Sequence, residues 1–126
     1  MDFFELSIEL EFCAAHILVG HQGKCANLHG HNYKAEVCLS GSKLDSLGIL
    51  IDFSDLKKIV NNVLDILDHH YINEIDYPAF LEGKTSAENI AKFIYENIET
   101  KIDQKISLDY VKLYETSKYS VKYSKK

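Results

Sequence analysis

Two histidines separated by a single glycine are the clearest candidate for a metal site. Residues two apart on an extended segment point to the same side, about 6.6 Å apart at roughly 3.3 Å per residue. His29 and His31 can therefore both reach one ion. A third protein ligand would leave a fourth position open, as in catalytic zinc sites. His16, at the end of an earlier strand pattern, can supply that ligand if the strands pair; the alternative for each histidine is a structural residue.

Cys25 lies four residues before His29, which is about 13 Å along an extended chain. It can join the metal only if the loop folds back. The second hypothesis is a reactive thiolate, because a nearby cation lowers a thiol pKa. The third is a small buried residue, which is the interpretation we give to Cys13 and Cys38. Cys25 differs from both because its neighbours are polar and glycine-rich.

Two further segments carry groups suited to proton transfer and binding. Asp68 adjoins His69 at the expected end of a helix, where they form either an acid/base pair or a histidine favoured by the helix dipole. Glu115 has the parity of Val111 and Leu113 on a strand, so we expect it to point inward and to need a partner. Such a carboxylate can anchor the amidine-like edge of a pterin or guanine ring, and the alternative is an exposed turn residue.

Strands and helices must position these groups. Period-two alternation predicts strands over residues 7–12 and 33–40, joined by a long polar loop containing Gly20, Gly23 and Gly30. Two more strands, around 110–114 and 119–123, flank a turn near Ser117.

Between the strand pairs the hydrophobic period becomes helical. One helix covers residues 56–67 with Asp52 or Ser54 as its cap, and a second opens with the capping box Thr85–Glu88 and continues to Ile98. The order ββααββ predicts an α+β fold with a four-stranded antiparallel sheet and both helices on one face. The other face would need a partner.

Length and composition exclude several classes of protein. The 126 residues form one domain, 1–126, and 46% of them are hydrophobic, enough for a core. The net charge of −5 comes from 14 lysines against 19 acidic residues, with no arginine, so the basic stripe of a nucleic-acid-binding protein is lacking. No apolar stretch approaches the roughly 20 residues that span a bilayer. The unpatterned three cysteines and the absence of a signal-like N-terminus predict the cytoplasm.

Six segments in one order resemble the 6-pyruvoyltetrahydropterin synthase superfamily over nearly the whole chain. They are Phe12–His16, Cys25–Tyr33, Ile51–Phe53, Leu67–His69, Thr85–Asn89 and Tyr114–Thr116. Within the superfamily, the C-x-x-x-H-G-H spacing most resembles the 6-carboxytetrahydropterin synthases of the queuosine and 7-deazaguanine pathway.

The resemblance implies an enzyme and a role for each candidate residue. Its substrate would be 7,8-dihydroneopterin triphosphate, converted to 6-carboxy-5,6,7,8-tetrahydropterin with release of acetaldehyde and triphosphate. The implied roles are zinc binding by His16, His29 and His31, proton acceptance by Cys25, a relay of Asp68 and His69, and pterin binding with a part in the relay by Glu115.

The resemblance also implies the tunnelling fold, whose subunits assemble into a barrel, here as a hexamer made of two trimers. Such a homo-oligomer would supply a partner for the sheet. Two alternatives remain: a 6-pyruvoyltetrahydropterin synthase, disfavoured by the short Cys25–His29 spacing, and a non-catalytic pterin-binding protein. Without arginine, triphosphate must rely on lysines such as Lys24, backbone amides and His21. His21 and His70 receive no other role.

Overall fold

Alternating apolar and polar residues build a four-stranded antiparallel sheet. The computed structural model describes residues 2–126. Its strands, in spatial order, are β1 (Phe4–His16), β2 (His29–Gly41), β3 (Ser107–Tyr114) and β4 (Ser120–Tyr123). The predicted sheet is confirmed.

The first two strands are longer than predicted. β1 and β2 pair in register from Phe4 with Gly41 to His16 with His29, so Gly30 lies in a strand and not in the loop. The run Cys13-Ala14-Ala15 contains no polar residue, which hides the period-two pattern where β1 continues.

The prediction that Cys13 is buried is wrong. Phe12 and Ala14 face the core, and strand alternation therefore places Cys13 on the opposite face, where it is exposed. Cys38 is buried, as expected. Burial, reinforced by Asp109 and Glu5, raises the pKa of the Cys38 thiol to about 11. Cys38 is therefore a protonated packing residue.

Two long helices cover one face of the sheet. Helix α1 (Phe53–Leu67) begins after Asp52, whose side chain accepts the Ser54 N–H at 2.8 Å. A one-turn helix that the sequence analysis did not predict, α2 (Pro78–Leu81), has proline in its first turn. Helix α3 (Ala87–Glu99) begins after Ser86.

The predicted capping box of α3 is displaced by one residue. Ser86 is the N-cap and accepts the Asn89 N–H at 3.2 Å, so Thr85 lies outside the helix. The Thr85 side chain is fully buried and donates instead to the Ile17 carbonyl at 2.8 Å. A tertiary hydrogen bond thus replaces the local cap expected of this hydroxyl.

One hydrophobic core lies between the helices and the sheet, which confirms the expected layering. It unites the inward residues of β1, β2 and β3 with the buried faces of α1 and α3. The opposite face is polar, with Lys34 and Lys112 over the ring of Tyr114 and Lys122 over Tyr110. Within residues 2–126, no helix has the length and apolarity required to cross a membrane.

Candidate metal and proton-transfer site

The paired ends of β1 and β2 bring three histidines onto the core face of the sheet. His16 lies opposite His29, and Ala14 lies opposite His31. The ring centroids are 4.4 Å apart for His16 and His29, 4.8 Å for His29 and His31, and 5.5 Å for His16 and His31. One ligand atom from each of these histidines and from Glu115 lies within 4.8 Å of the others.

Hydrogen bonds to backbone carbonyls orient two of the rings. His16 Nδ1 donates to the Thr85 carbonyl at 2.7 Å, and His29 Nδ1 donates to the Asn27 carbonyl at 2.7 Å. A carbonyl only accepts, so both rings carry the proton on Nδ1 and each Nε2 presents a lone pair, which in His16 faces the Tyr33 hydroxyl. This pattern of outer hydrogen bonds is typical of metal-binding histidines.

The inner nitrogens fit a metal ion. Nε2 of His29 and Nε2 of His31 are both buried without a hydrogen-bond partner. A buried polar atom without a partner is costly, and a coordinated cation would satisfy both. The three histidines therefore suit a metal that accepts nitrogen ligands, among which zinc is typical.

Burial keeps two of the imidazoles in the form that binds metal. It lowers the pKa of His16 and of His31 below the usual 6.5, and the neighbouring histidines act in the same direction. The hydrogen bond to the Thr85 carbonyl and then Glu115 partly raise the pKa of His16, and Glu115 partly raises that of His31. Neutral imidazole, the metal-binding form, is favoured.

Glu115 points inward, as its strand parity predicts. Its Oε1 lies 3.0 Å from His31 Nε2, and the two side chains are 26% and 19% exposed. The pair is close but not aligned for a hydrogen bond, which is why His31 Nε2 still lacks one. A cavity of about 180 Å³ adjoins the carboxylate and is also lined by Glu88 and Tyr119.

Tyr33 belongs to the same cluster and was not among the residues predicted from the sequence. Its hydroxyl lies 3.3 Å from His16 Nε2, and its ring stacks on Phe12 with centroids 4.9 Å apart. Burial raises the Tyr33 pKa, followed by the charges of Glu115 and Cys25. Strand parity with His29 and His31 was the signal that could have identified it.

Cys25 is not part of the group of converging ligand atoms. It occupies a short 3-10 helix, Lys24–Ala26, and is half-buried. Its carbonyl accepts the Leu18 N–H at 2.8 Å, which folds the loop back on itself. The structure does not place the Cys25 sulfur among the converging ligand atoms, and the hypothesis of a reactive thiol beside the metal stays a prediction.

Asp68 and His69 touch each other at the outer edge of β1. Asp68 Oδ1 lies 3.0 Å from His69 Nδ1 and accepts the Cys13 N–H at 2.9 Å. The Cys13 N–H and then His69 hold the pKa of Asp68 below its usual range. His69 has a φ of +58°, and its side chain is 79% exposed. Among residues 2–126, no hydrogen bond or ion pair joins this pair to Cys25.

The two unassigned histidines stabilise turns. His21 Nδ1 accepts the Gly23 N–H at 2.9 Å, and His70 Nδ1 donates to the Asp68 carbonyl at 2.7 Å. Both side chains are exposed, as is Lys24. Their local contacts account for them without a place in the histidine cluster.

The chain matches a family model and named proteins over most of its length. Residues 5–126 match the model described as 6-pyruvoyl tetrahydropterin synthase. The chain is 40% identical to 6-carboxy-5,6,7,8-tetrahydropterin synthase of Haemophilus influenzae over 90% of this chain and 93% of that protein. It is 36% identical to 6-pyruvoyl tetrahydrobiopterin synthase of Poecilia reticulata over 80% of this chain and 69% of that protein.

A solved structure extends the similarity to the fold. The 6-pyruvoyl tetrahydropterin synthase of Caenorhabditis elegans superposes with a TM-score of 0.84 at 27% identity, covering 100% of this chain and 98% of that one.

Proposed function

The chain belongs to the 6-pyruvoyl tetrahydropterin synthase family, and from this premise we propose that it is a zinc-dependent 6-carboxytetrahydropterin synthase. The substrate would be 7,8-dihydroneopterin triphosphate and the products 6-carboxy-5,6,7,8-tetrahydropterin, acetaldehyde and triphosphate. The reaction would serve queuosine and 7-deazaguanine biosynthesis in the cytoplasm.

The single observation that carries this proposal is the convergence of His16, His29 and His31. Their rings meet on one sheet face, and two of their inner nitrogens are buried without a hydrogen bond. Three imidazoles with an open fourth position are the ligand set of catalytic zinc. Zinc, when bound there, stabilises negative charge that develops on the side-chain oxygens of the substrate.

The chain's own groups would move the protons. The Cys25 thiolate removes a carbon-bound proton from the substrate side chain. His69 returns or shuttles protons, and Asp68 orients it through the 3.0 Å contact between Oδ1 and Nδ1. Glu115 accepts hydrogen bonds from the amidine-like edge of the pterin and takes part in the relay, beside the cavity that it shares with Glu88.

The triphosphate leaves by elimination. Cleavage of the carbon–carbon bond then consumes one water molecule, whose oxygen balances the carboxyl group that stays on the pterin, and releases the two-carbon fragment as acetaldehyde. The chain has no arginine to hold this group in bidentate fashion. Lys24, which is exposed next to Cys25 along the chain, and backbone amides would bind it instead.

A second candidate reaction is triphosphate elimination alone, to a pyruvoyl product. The 36% identity to the Poecilia reticulata enzyme favours it. Three residues between Cys25 and His29, and the higher identity to the Haemophilus influenzae protein, favour the carboxy branch. A pterin-binding protein without catalysis is disfavoured because such a protein would not need Cys25, Asp68 and His69 together.

We also propose assembly into a homo-oligomer, a hexamer of two trimers. In sheet order β1 and β4 are the outer strands. The edge of β4 and the part of the β1 edge that precedes Cys13, where the segment after Asp68 begins to pair, are the edges open to another copy. Light scattering coupled to size exclusion would measure the mass, and a monomer would contradict this part of the proposal.

The reaction is tested by incubating zinc-loaded protein with 7,8-dihydroneopterin triphosphate and separating the products. The carboxy branch releases acetaldehyde, whereas the alternative branch gives a pyruvoyl product and releases no acetaldehyde. Tight pterin binding without consumption of the substrate would contradict both and identify a binding protein.

A further inference from the structure

The segment that follows Asp68 runs along the outer edge of β1 as an additional short partner. His69 N–H donates to the Cys13 carbonyl at 2.6 Å, and Ala15 N–H donates to the His70 carbonyl at 3.2 Å. Ala15 and Tyr71 form a parallel bridge. Hydrogen bonds thus recur at alternate residues of β1, at positions 13 and 15.

At the next alternate position, Ile17, a side chain and not the backbone supplies the hydrogen bonds. Asn73 Oδ1 accepts the Ile17 N–H at 2.9 Å, and Asn73 Nδ2 donates to the Ile17 carbonyl at 2.9 Å. The main chain has already turned into a 3-10 helix, Ile72–Glu74, so it cannot continue as a strand. A carboxamide offers one carbonyl and one N–H in the way that a peptide group does, and it extends the edge pairing by one position.

Thr85 makes a further contact with Ile17. Its hydroxyl donates to the Ile17 carbonyl at 2.8 Å, and its own carbonyl accepts the His16 Nδ1 proton at 2.7 Å. Asn73 and Thr85 together form what we call the Ile17 clamp. The clamp holds the backbone immediately after His16, and Thr85 also holds the His16 ring.

We propose that Asn73 is a positioning residue of the metal centre. It fixes the backbone next to His16 and ties it to the segment that carries Asp68 and His69. Loss of the amide frees the N–H of Ile17 from its side-chain partner, so His16 is held less closely to the geometry that a metal requires. This inference rests on the proposed function, because it assumes that His16 binds zinc.

The test compares the zinc affinity of Asn73→Ala with that of wild type by competition with a chelator. Direct hydrogen-bond partners of metal ligands change affinity by about 10- to 100-fold. Asn73 acts on His16 through the backbone of Ile17, so we expect a loss at the lower end of that range, about 10-fold. Asn62→Ala is the control, since Asn62 is exposed on α1, and it should bind zinc as wild type does. The absorption spectrum of bound Co²⁺, which reports ligand geometry, should change in Asn73→Ala alone.

A second pair of variants tests the clamp if Asn73→Ala does not fold. Thr85→Val keeps the shape and the backbone carbonyl but removes the hydroxyl, which donates to the Ile17 carbonyl and lies 3.2 Å from His16 Nδ1. It should weaken zinc binding. Thr85→Ser retains the hydroxyl and should restore most of the affinity.

The inference would be overturned if Asn73→Ala bound zinc as tightly as wild type and left the Co²⁺ spectrum unchanged. If Asn73→Ala does not fold, the same two results for Thr85→Val would overturn it. Either outcome would leave the proposed function intact. A wild-type protein that binds no zinc would overturn both.

Discussion

His16 and His29 stand opposite each other as the final pair of the β1–β2 ladder, with ring centroids 4.4 Å apart. The strand register thus brings together two residues that lie on either side of a long loop. Because side chains alternate along a strand, a shift of one residue in the register of β1 against β2 would place one of the two rings on the opposite face of the sheet. The candidate metal site therefore depends on the pairing of the two strands as much as on the histidines.

Replacing His29 should empty the metal site. His29→Ala removes one of three imidazoles whose inner nitrogens converge, so we expect bound zinc to fall from about one ion per chain in wild type to far below that. Elemental analysis of purified protein measures it. His70→Ala is the matched control, because its ring bonds only a local carbonyl. Full zinc occupancy in His29→Ala would contradict the assignment.

Replacing Cys25 should abolish turnover without loss of metal. Positioned proton transfer contributes about 10²- to 10⁴-fold to a rate, and Cys25→Ala should lose a factor of that size. Cys13→Ala serves as the comparison because Cys13 lies on the opposite face of the sheet. Steady-state rates and zinc content are measured together. Normal turnover in Cys25→Ala would leave the thiol with a packing role only.

Glu115→Gln separates substrate binding from metal binding. The carboxylate lies 3.0 Å from His31 but also lines the adjoining cavity. If it anchors the pterin, loss of its charge should weaken substrate binding roughly 10- to 100-fold, the range for a hydrogen bond to a charged group. Zinc content should stay the same. A loss of zinc with unaltered substrate affinity would instead make Glu115 a metal ligand.

The ionised carboxylate of Asp68 should stabilise the folded protein near neutral pH but not at strongly acidic pH. The folded protein lowers its pKa from the usual 3.8, chiefly through the Cys13 N–H. The resulting stabilisation is complete above 3.8 and is lost as the pH falls through the lower, folded value.

Thermal melts of wild type and Asp68→Asn from pH 7 to pH 2 test this expectation. The variant should melt about 1–3 °C lower at pH 7, as befits a partly exposed group. The gap should close at acid pH. A gap that is constant across the range would show that the charge of Asp68 contributes nothing to stability.

Residues governed by strand parity and capping were predictable from the sequence. Alternation placed Glu115 on the core face with Val111 and Leu113, and Asp52 caps α1 because its side chain reaches a neighbouring N–H. Such features depend on contacts within a few residues, so local sequence contains them. The same alternation, carried past Phe12, would have shown that Cys13 is exposed.

Residues defined by distant partners were not predictable in this way. Thr85 resembles a helix cap, but it bonds His16 and Ile17, which lie 69 and 68 positions away. Asn73 bonds Ile17 across 56 positions. No spacing rule in a single sequence joins such pairs, because their proximity follows from how the edge of β1 packs against the segments after α1 and before α3.

The most direct test of the whole account is the ratio of products formed from 7,8-dihydroneopterin triphosphate by the zinc-loaded protein. Acetaldehyde and triphosphate are quantified against substrate consumed, with Cys25→Ala as the inactive comparison. We predict about one acetaldehyde and one triphosphate for each substrate molecule, and from Cys25→Ala at least about 100-fold less of both products in the same time. Triphosphate released without acetaldehyde, or no consumption of substrate, would contradict it.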